Sequence, residues 1–289
     1  MKTLLFFLLS TTVAFAAGKP EALGLLNGQN LAQTSLSEAL SQVRPGTIIV
    51  LGEQHGTQVQ ANQQMQVLKT LKENGFKVSV GMEFFEYPQQ ALVDSWRSGR
   101  LTEADFLSQI GWGKGFPFSA YRDQTLFPQG EDQTTIGINA PRSLTGKIAK
   151  NGLDSLTSEE WKMLPPQFTL GNEKYLKRFK EAMGGHVPDQ KVVDRYFAAQ
   201  SAWDDTMAWQ TEQFMARHSD HVFVIIVGEF HVQYGGGLPD RLKARGIENV
   251  LTFSLLNLNG YSPEEQEQSL SPGGEYGPRA DYIWTSDFE

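Results

Sequence analysis

Two copies of a Gly-Glu-x-His motif are the residues in this sequence best suited to chemistry. The first ends at His55 and the second at His231, and each directly follows a run of branched apolar residues. An imidazole beside a carboxylate can activate water as a general base, and two such pairs can also bind a divalent ion such as Zn²⁺ or Mn²⁺. A histidine at the end of one strand is commonly only a hydrogen-bonded turn residue. Two copies after two strongly apolar runs favour one site with two walls.

The elements that must position these motifs alternate between strand and helix. Five segments have the apolar pattern of strands; they begin near Thr47, Lys77, Thr134, Val222 and Asn249. The tail Ala280–Ser286 is predicted to add a sixth strand at an edge. Amphipathic stretches that end at glycines separate several of the strands. This alternation predicts an α/β fold with a mainly parallel sheet and helices on both faces.

Polar side chains follow four of the predicted strands. In an open parallel sheet, ligands bind beyond the carboxyl ends of the strands, because the strand-to-helix loops converge there. We therefore expect one rim to carry two imidazoles, several carboxylates, an amide and a guanidinium. These side chains are Glu53, His55, Glu83, Glu86, Asn139, Arg142, Glu229 and His231.

Two chemistries remain open at this rim. With a metal, the predicted ligands are His55, His231, Glu53 and Glu83, which suit Mn²⁺, Co²⁺ or Zn²⁺. Without a metal, a His–Glu pair would act as general base while Arg142 stabilises developing negative charge.

The segment 153–218 interrupts the alternation, since it contains helical patterns and no strand-like run. We expect it to be a helical subdomain inserted in an α/β core formed by residues 17–152 and 219–289. On its long helix, Gln200 and Asp204 share a stripe with apolar residues, so they need buried partners, either in neighbouring loops or in the site. His218 and His221 precede the strongest strand, far from the rim, and are predicted to lie at the surface.

Composition excludes some functions and indicates a compartment. The formal charge of −8 over 289 residues argues against nonspecific nucleic-acid binding. Lys2, a short apolar run and the small residues around Ala16 predict a secretory signal peptide over residues 1–16. The absence of cysteine excludes disulfides, thiolate metal ligands and a lipidated cysteine. We expect an exported protein, periplasmic or secreted, without a lipid anchor.

Six motifs from Thr47 to the C-terminus resemble those of the ChaN-type haem-binding uptake proteins of the Tiki/TraB superfamily. They are GEQH, GMEFFE followed by PQQ, NAPR, AAQSAWDDTMA, GEFHVQYGGGLPDR and ADYIWTS. The resemblance implies that a common set of residues occupies the active-site positions of the superfamily. This set is His55, Glu83, Asn139, Arg142, Gln200, Asp204 and His231. Related branches include metal-dependent proteases and erythromycin esterases.

The ChaN-type branch is associated with haem binding through a tyrosine and with iron acquisition at the bacterial envelope. The ligating tyrosine lies in no shared motif, so its position is predicted from a patch rich in aromatic and basic residues. Tyr175 and Tyr196 are predicted as iron ligands, with His186 and Lys177 as further haem contacts. Tyr121 and Tyr234 lie nearer to the rim and are alternatives.

Two functions therefore stand side by side. The first is an exported haem-binding protein in iron acquisition, with haem as ligand and, as candidate partners, an outer-membrane receptor and a second copy of the chain. The second is a metal-dependent hydrolase that uses the paired motifs on an ester or a peptide.

Overall fold

The computed structural model describes residues 23–113, 115–184 and 189–289. Two sequence predictions fall outside these residues: the signal peptide over residues 1–16 and the haem contact His186. Within the described ranges, no helix combines the length and the apolar character needed to cross a membrane.

Seven strands form one sheet. They are β1 (Gly24–Asn27), β2 (Ile48–Glu53), β3 (Lys77–Glu86), β4 (Thr135–Asn139), β5 (His221–Gly228), β6 (Val250–Asn257) and β7 (Tyr282–Ser286). Their spatial order is β1-β7-β6-β2-β5-β3-β4. All neighbours pair in parallel except β1 and β7, which are antiparallel. The two strands that carry the motifs, β2 and β5, are therefore adjacent at the centre of the sheet.

The described residues also contain eleven α-helices. They are α1 (Leu36–Ala39), α2 (Gln58–Glu73), α3 (Gln90–Arg97), α4 (Glu103–Gln109), α5 (Ser119–Leu126), α6 (Arg142–Asn151), α7 (Ser158–Trp161), α8 (Glu173–Ala182), α9 (Gln190–Met215), α10 (Leu238–Ala244) and α11 (Pro263–Leu270).

Helices cover both faces of the sheet, because successive side chains of a strand point to opposite faces. On β2, Ile49 and Leu51 join a core that includes Leu68 and Leu71 of α2. The alternate β2 residues Ile48 and Val50 join a second core, which includes Met207 and Phe214 of α9 and Leu238 and Leu242 of α10. The prediction of a mainly parallel α/β sheet covered on both faces is confirmed.

The sequence missed one strand. Strand β1 has only four residues, too few to show a periodic pattern, and it exists because it pairs with β7. As a result β7 is the second strand from the edge, whereas the tail had been predicted to form the edge itself. This antiparallel pair joins the start of the described chain to its end.

The segment 153–218 contains α7, α8 and α9, and its described residues form no strand. Helix α9 lies directly on the sheet through Met207 and Phe214, so this segment supplies part of the layer that covers the core. The surface prediction for His221 is wrong: the side chain is fully buried, and its Nδ1 lies 3.0 Å from the Ser79 hydroxyl. His218 is half-buried and stacks on Phe214.

Candidate functional site

The two Gly-Glu-x-His motifs meet at the carboxyl ends of β2 and β5. Glu53 pairs in register with Gly228, so the two motif starts lie side by side. An open cleft of about 590 Å³ lies above them, within the about 300–1,000 Å³ typical of small-molecule sites. Its lining includes the imidazoles of His55 and His231 and the side chains of Phe230, Leu255 and Tyr261.

The first wall is a hydrogen-bonded chain that ends at His55. Glu53 receives a hydrogen bond from the Tyr121 hydroxyl at 2.5 Å and another from the Gln64 amide at 2.6 Å. The Nδ1 atom of His55 lies 3.1 Å from the same Glu53 carboxylate. The side chain of His55 is 38% exposed, and its Nε2 has no hydrogen-bond partner among the described residues. One ring nitrogen is thus fixed while the other faces the cleft.

The second wall holds His231 from both sides. Its Nδ1 lies 2.6 Å from Asp204 of α9, and its Nε2 lies 3.5 Å from Glu83 at the end of β3. Tyr175 donates to the other oxygen of Asp204 at 2.9 Å, and Gln200 donates to the Tyr175 hydroxyl at 3.0 Å. The His231 side chain is only 7% exposed. Both of its nitrogens are therefore engaged by carboxylates.

These contacts set the protonation of the site. Burial alone would lower the pKa of His231, but the charges and hydrogen bonds of Asp204 and Glu83 outweigh it and raise the pKa to about 10. Burial alone would raise the pKa of Glu83, yet His231, His55 and the Gly228 amide lower it to about 2. Burial also opposes charge on His55, but Glu53 and Glu83 raise its pKa above the usual value. His231 is therefore an imidazolium at neutral pH.

The second motif carboxylate, Glu229, has a different role from Glu53. It accepts a hydrogen bond from the Arg279 guanidinium at 2.6 Å and another from the Ser254 hydroxyl. Glu229 opens a short 3-10 turn, whereas Glu53 is the last residue of a strand. The backbone change directs Glu229 away from its own histidine.

The structure brings together most, but not all, of the predicted rim residues. His55, His231, Glu53, Glu83, Gln200 and Asp204 form the two walls described above. Asn139 serves the backbone instead, since its amide donates to the Glu83 carbonyl at 2.9 Å and its oxygen accepts from the Ala140 amide. Arg142 begins α6 with an exposed side chain, and within the described residues its guanidinium has no hydrogen bond or ion pair with the walls. A role for Arg142 at this site therefore stays a prediction.

Several residues of the site carry no motif. Gln60 and Gln64 are one helical turn apart on α2 and fully buried, and Gln60 accepts from the Gln54 amide beside His55. Two amide side chains on the buried face of a helix could have predicted that this helix contributes to the site. Tyr121 was named only as an alternative haem ligand near the rim, and no pattern predicted its contact with Glu53, because the two positions are far apart in the chain.

The predicted haem contacts lie in different surroundings. Tyr175 is buried and bonded to Asp204 and Gln200, so its hydroxyl belongs to the wall beside His231 rather than to a haem-facing surface. Burial and the charge of Asp204 also raise its pKa well above the usual value. Tyr196 is 45% exposed. Lys177 forms an exposed ion pair with Glu275, and Tyr234 lies between two arginines, as described below.

A metal centre was predicted from the same side chains. Across residues 23–113, 115–184 and 189–289, no group of three or more His, Asp or Glu side chains is arranged to hold a metal ion. In this arrangement both ring nitrogens of His231 contact carboxylates, Nδ1 at Asp204 and Nε2 at Glu83.

The fold and the cleft define an α/β ligand-binding protein whose site lies beyond the carboxyl ends of a parallel sheet. The chain belongs to the family described as haem-binding uptake, Tiki superfamily, ChaN, whose model matches residues 39–242. The haem cofactor predicted from the sequence is the ligand for which that family is described.

One solved structure shares the fold, and another is similar at a lower score. A structure described as cofacial haem binding to ChaN of Campylobacter jejuni is 14% identical, with a TM-score of 0.63 over 90% of this chain and 94% of that one. An erythromycin esterase is also 14% identical, with a TM-score of 0.44 over 82% of this chain and 76% of that one. No curated protein matches the chain.

Proposed function

We propose that the protein binds haem at the cleft above β2 and β5 and serves haem uptake for iron acquisition. The observation that carries the proposal is Tyr261 on the wall of the cleft. Its side chain is 38% exposed, and its hydroxyl has no hydrogen-bond partner among the described residues. The family is described as haem-binding, which indicates the ligand. The lining of the cleft combines this free phenol with the apolar side chains of Phe230 and Leu255.

Tyr261 is chosen as the iron ligand because the hydroxyls of the other tyrosines considered are hydrogen-bonded or lie outside the cleft. Tyr121 and Tyr175 donate to buried carboxylates, and Tyr276 donates to Glu181. Removing a proton from the first two would place a phenolate against a carboxylate in a buried setting. Tyr196 and Tyr261 are the exposed tyrosines in the described part of the chain, and Tyr261 alone of the two lines the cleft.

The residues of the cleft fit a haem. Tyr261 would hold the iron, Phe230 and Leu255 would contact the macrocycle, and His55 also lines the cleft. When bound, haem supplies an iron whose chemistry is set by its axial ligand and by the polarity of its surroundings. The chain itself contributes the phenol, the apolar contacts and a fixed cation at His231.

The test is a titration of haem-free protein with ferric haem, followed by absorbance. Wild type is expected to show a saturable Soret shift with a high-spin tyrosinate spectrum. Tyr261→Phe is expected to lose that spectrum, whereas Tyr196→Phe, which removes an equally exposed phenol, keeps it. Retention by the first variant and loss by the second would move the ligand to Tyr196. No saturable shift in wild type would reject haem binding.

Export and partners belong to the same proposal. The pattern over residues 1–16 supports export, and an exposed haem face would favour a homodimer that covers it. Cell fractionation tests the first point, and a change of oligomeric state on adding haem, measured by light scattering, tests the second. Haem transfer from an outer-membrane receptor is the corresponding test of a partner.

A second candidate function, hydrolysis of an ester or peptide, is supported by the Glu53–His55 pair. With Nδ1 held by Glu53, the free Nε2 of His55 can take a proton from water. The resulting hydroxide would attack the acyl carbon, and the proton would pass from Nε2 to the leaving group.

Hydrolysis of 4-nitrophenyl acetate in the presence of EDTA tests this candidate in haem-free protein. His55→Gln is expected to lower the rate by about 100-fold or more if the pair acts as a general base. His218→Gln, at the opposite end of the sheet, is the matched control and should leave the rate unchanged. A rate that does not saturate, or that falls equally in both variants, would reject hydrolysis at the cleft.

A further inference from the structure

Helix α8 buries an arginine, Arg178, that feels the charge of Asp204 but is bonded to no carboxylate in the described part of the chain. Only 6% of Arg178 is exposed. Its guanidinium donates to the side-chain oxygen of Gln233 at 2.9 Å and to the Phe230 carbonyl at 2.7 Å. Within the described residues it forms no ion pair with a carboxylate. A buried charge without a counter-charge is costly, and proteins keep such groups where something else neutralises them.

Two other largely buried arginines, Arg279 and Arg245, do have acidic partners. Arg279 pairs with Glu229 at 2.6 Å, and Arg245 pairs with Asp205 at 2.8 Å. Arg178 instead lies over aromatic rings, 4.3 Å from the ring centre of Phe230 and 5.1 Å from that of Tyr175. Ring faces attract a cation but do not cancel its charge. The positive charge of Arg178 is therefore available to an anion.

The guanidinium borders a small cavity that can receive such an anion. The cavity has a volume of about 40 Å³, and Asn172, Lys174 and Tyr276 also line it. Lys174 supplies a second cation, whose ammonium donates to the Tyr276 carbonyl at 2.7 Å and has no carboxylate partner in the described chain. One water molecule needs about 10–15 Å³ of such volume, so the cavity has room for a group the size of a carboxylate. Asn172 and Lys174 are exposed, so the cavity is reached from solvent.

The backbone beside the cavity is strained. Tyr234 has a φ of 60°, a left-handed conformation that bulky side chains rarely adopt. Its ring lies 5.6 Å from the Arg178 guanidinium and 5.7 Å from that of Arg279. Strain of this kind persists where the surroundings impose it, and it is common at ligand sites. The preceding residue, Gln233, lines both this cavity and the cleft, so the two are neighbours.

We propose that the cavity between Arg178 and Lys174 is an anion site that binds a ligand carboxylate, and that in the haem-loaded protein it receives a haem propionate. The identity of the ligand rests on the proposed function. The proposal of an anion site is supported independently by the unpaired Arg178 and by the cavity beside it. Haem seated in the cleft would place its acidic edge toward Gln233 and these two cations.

Haem and haem dimethyl ester, which lacks the two carboxylates, separate the propionate contact from the rest of the binding. Wild type is expected to bind the ester about tenfold more weakly or worse, the loss typical of a charged hydrogen bond. Arg178→Met is expected to bind both compounds with similar affinity. Lys180→Met removes a cation from the same helix that does not line the cavity, and it should keep the wild-type preference.

Thermal unfolding of haem-free protein tests the anion site without haem. Acetate or phosphate, added at constant ionic strength, is expected to raise the unfolding midpoint of wild type by a few degrees. The midpoint of Arg178→Met should not respond, and without added anion it should equal or exceed that of wild type, because an apolar side chain replaces an unpaired buried charge. Stabilisation by acetate together with equal affinity for haem and its ester would assign the site to a free small anion.

The outcomes distinguish the two proposals. A wild-type protein that binds haem but responds neither to esterification nor to small anions would overturn the anion site and leave the haem proposal standing. A wild-type protein that binds neither haem compound, yet is stabilised by acetate through Arg178, would reject haem and retain the site. An equal loss of preference in Lys180→Met would show a general charge effect and count against the cavity.

Discussion

The two walls of the cleft start from the same tetrapeptide and reach different chemical states. Each wall contains a buried tyrosine that donates to a carboxylate, and each carboxylate contacts a motif histidine. On the first wall the carboxylate is the motif's own Glu53. On the second wall it is Asp204, supplied by α9, because Glu229 pairs with Arg279.

The difference lies in how many ring nitrogens are engaged. His55 contacts one carboxylate and keeps Nε2 toward the cleft, whereas His231 contacts Asp204 and Glu83 with both nitrogens. The first histidine can exchange a proton with a ligand. The second is a fixed positive charge that holds three elements together: β3, α9 and the turn after β5. One motif therefore supplies a reactive group and a structural one.

The largest expected effect comes from removing the carboxylate of each wall. Asp204→Ala should cost about 3–5 kcal/mol of the free energy of unfolding, because it leaves a buried imidazolium with one partner fewer. Glu53→Ala should cost less, about 1–3 kcal/mol, since it leaves the Tyr121 and Gln64 donors unsatisfied but no buried unpaired charge. Urea unfolding of both variants measures the difference. Equal costs, or the reverse order, would contradict the distinction between the walls.

The pH dependence of stability should also separate the walls. The raised pKa of His231 contributes stability that is complete below its usual value of 6.5 and is lost as the pH rises through about 10. The lowered pKa of Glu83 contributes stability that is complete above 4.5 and is lost as the pH falls through about 2. We expect the urea midpoint to be highest between these limits. His231→Gln should flatten the alkaline side of the profile more than His55→Gln does.

The motif glycines offer a matched pair of substitutions with a smaller effect. A Cβ at Gly52 would meet Val232 at 2.9 Å and the Glu229 backbone at 3.1 Å, so Gly52→Ala should cost about 1–3 kcal/mol. A Cβ at Gly228 would meet only movable atoms, at 2.8 Å from the His55 ring. Gly228→Ala should therefore change stability little while shifting the His55 resonances in an NMR spectrum. A large loss of stability in Gly228→Ala would show that His55 is fixed.

The smallest difference is expected between the two tyrosines, since this part of the walls is alike. Tyr121→Phe and Tyr175→Phe each remove one buried hydroxyl that donates to a carboxylate and accepts one further hydrogen bond. Each should cost about 1–2 kcal/mol. Denaturant unfolding of the two variants, measured side by side, checks the similarity. If the two losses of unfolding free energy differ by more than either predicted loss, the two hydrogen-bond networks differ in more than their histidines.

The sequence was sufficient to predict the positions of the site residues that lie at the ends of strands. Apolar runs located β2 and β5, and the rule for parallel sheets then placed His55 and His231 at one rim. The helical stripe of α9 indicated that Gln200 and Asp204 needed partners, and Asp204 found one in His231. These inferences succeeded because local periodicity determines which residues end a strand or face a core.

The remaining features depend on contacts between distant segments. Glu229 repeats the spacing of Glu53, but a tight turn directs it to Arg279, which lies near the other end of the chain. Tyr175 looked like a surface aromatic because its helix is rich in lysine, yet the helix turns that residue inward. Arg142 ends on the exposed side of α6, which no pattern in its own segment reveals.

The position of β5 between β2 and β3 has a consequence for how the protein folds. Its pairing with β2 joins segments separated by more than half of the chain, and β2 pairs on its other side with β6. Such distant parallel pairings form slowly, because the entropy of closing a long loop is lost before the strands make their stabilising contacts. Neither histidine can meet its opposite wall until this central closure is complete. Ligand binding should therefore report the final step of folding, and a protein stalled before that step would hold most of its helices and none of its cleft.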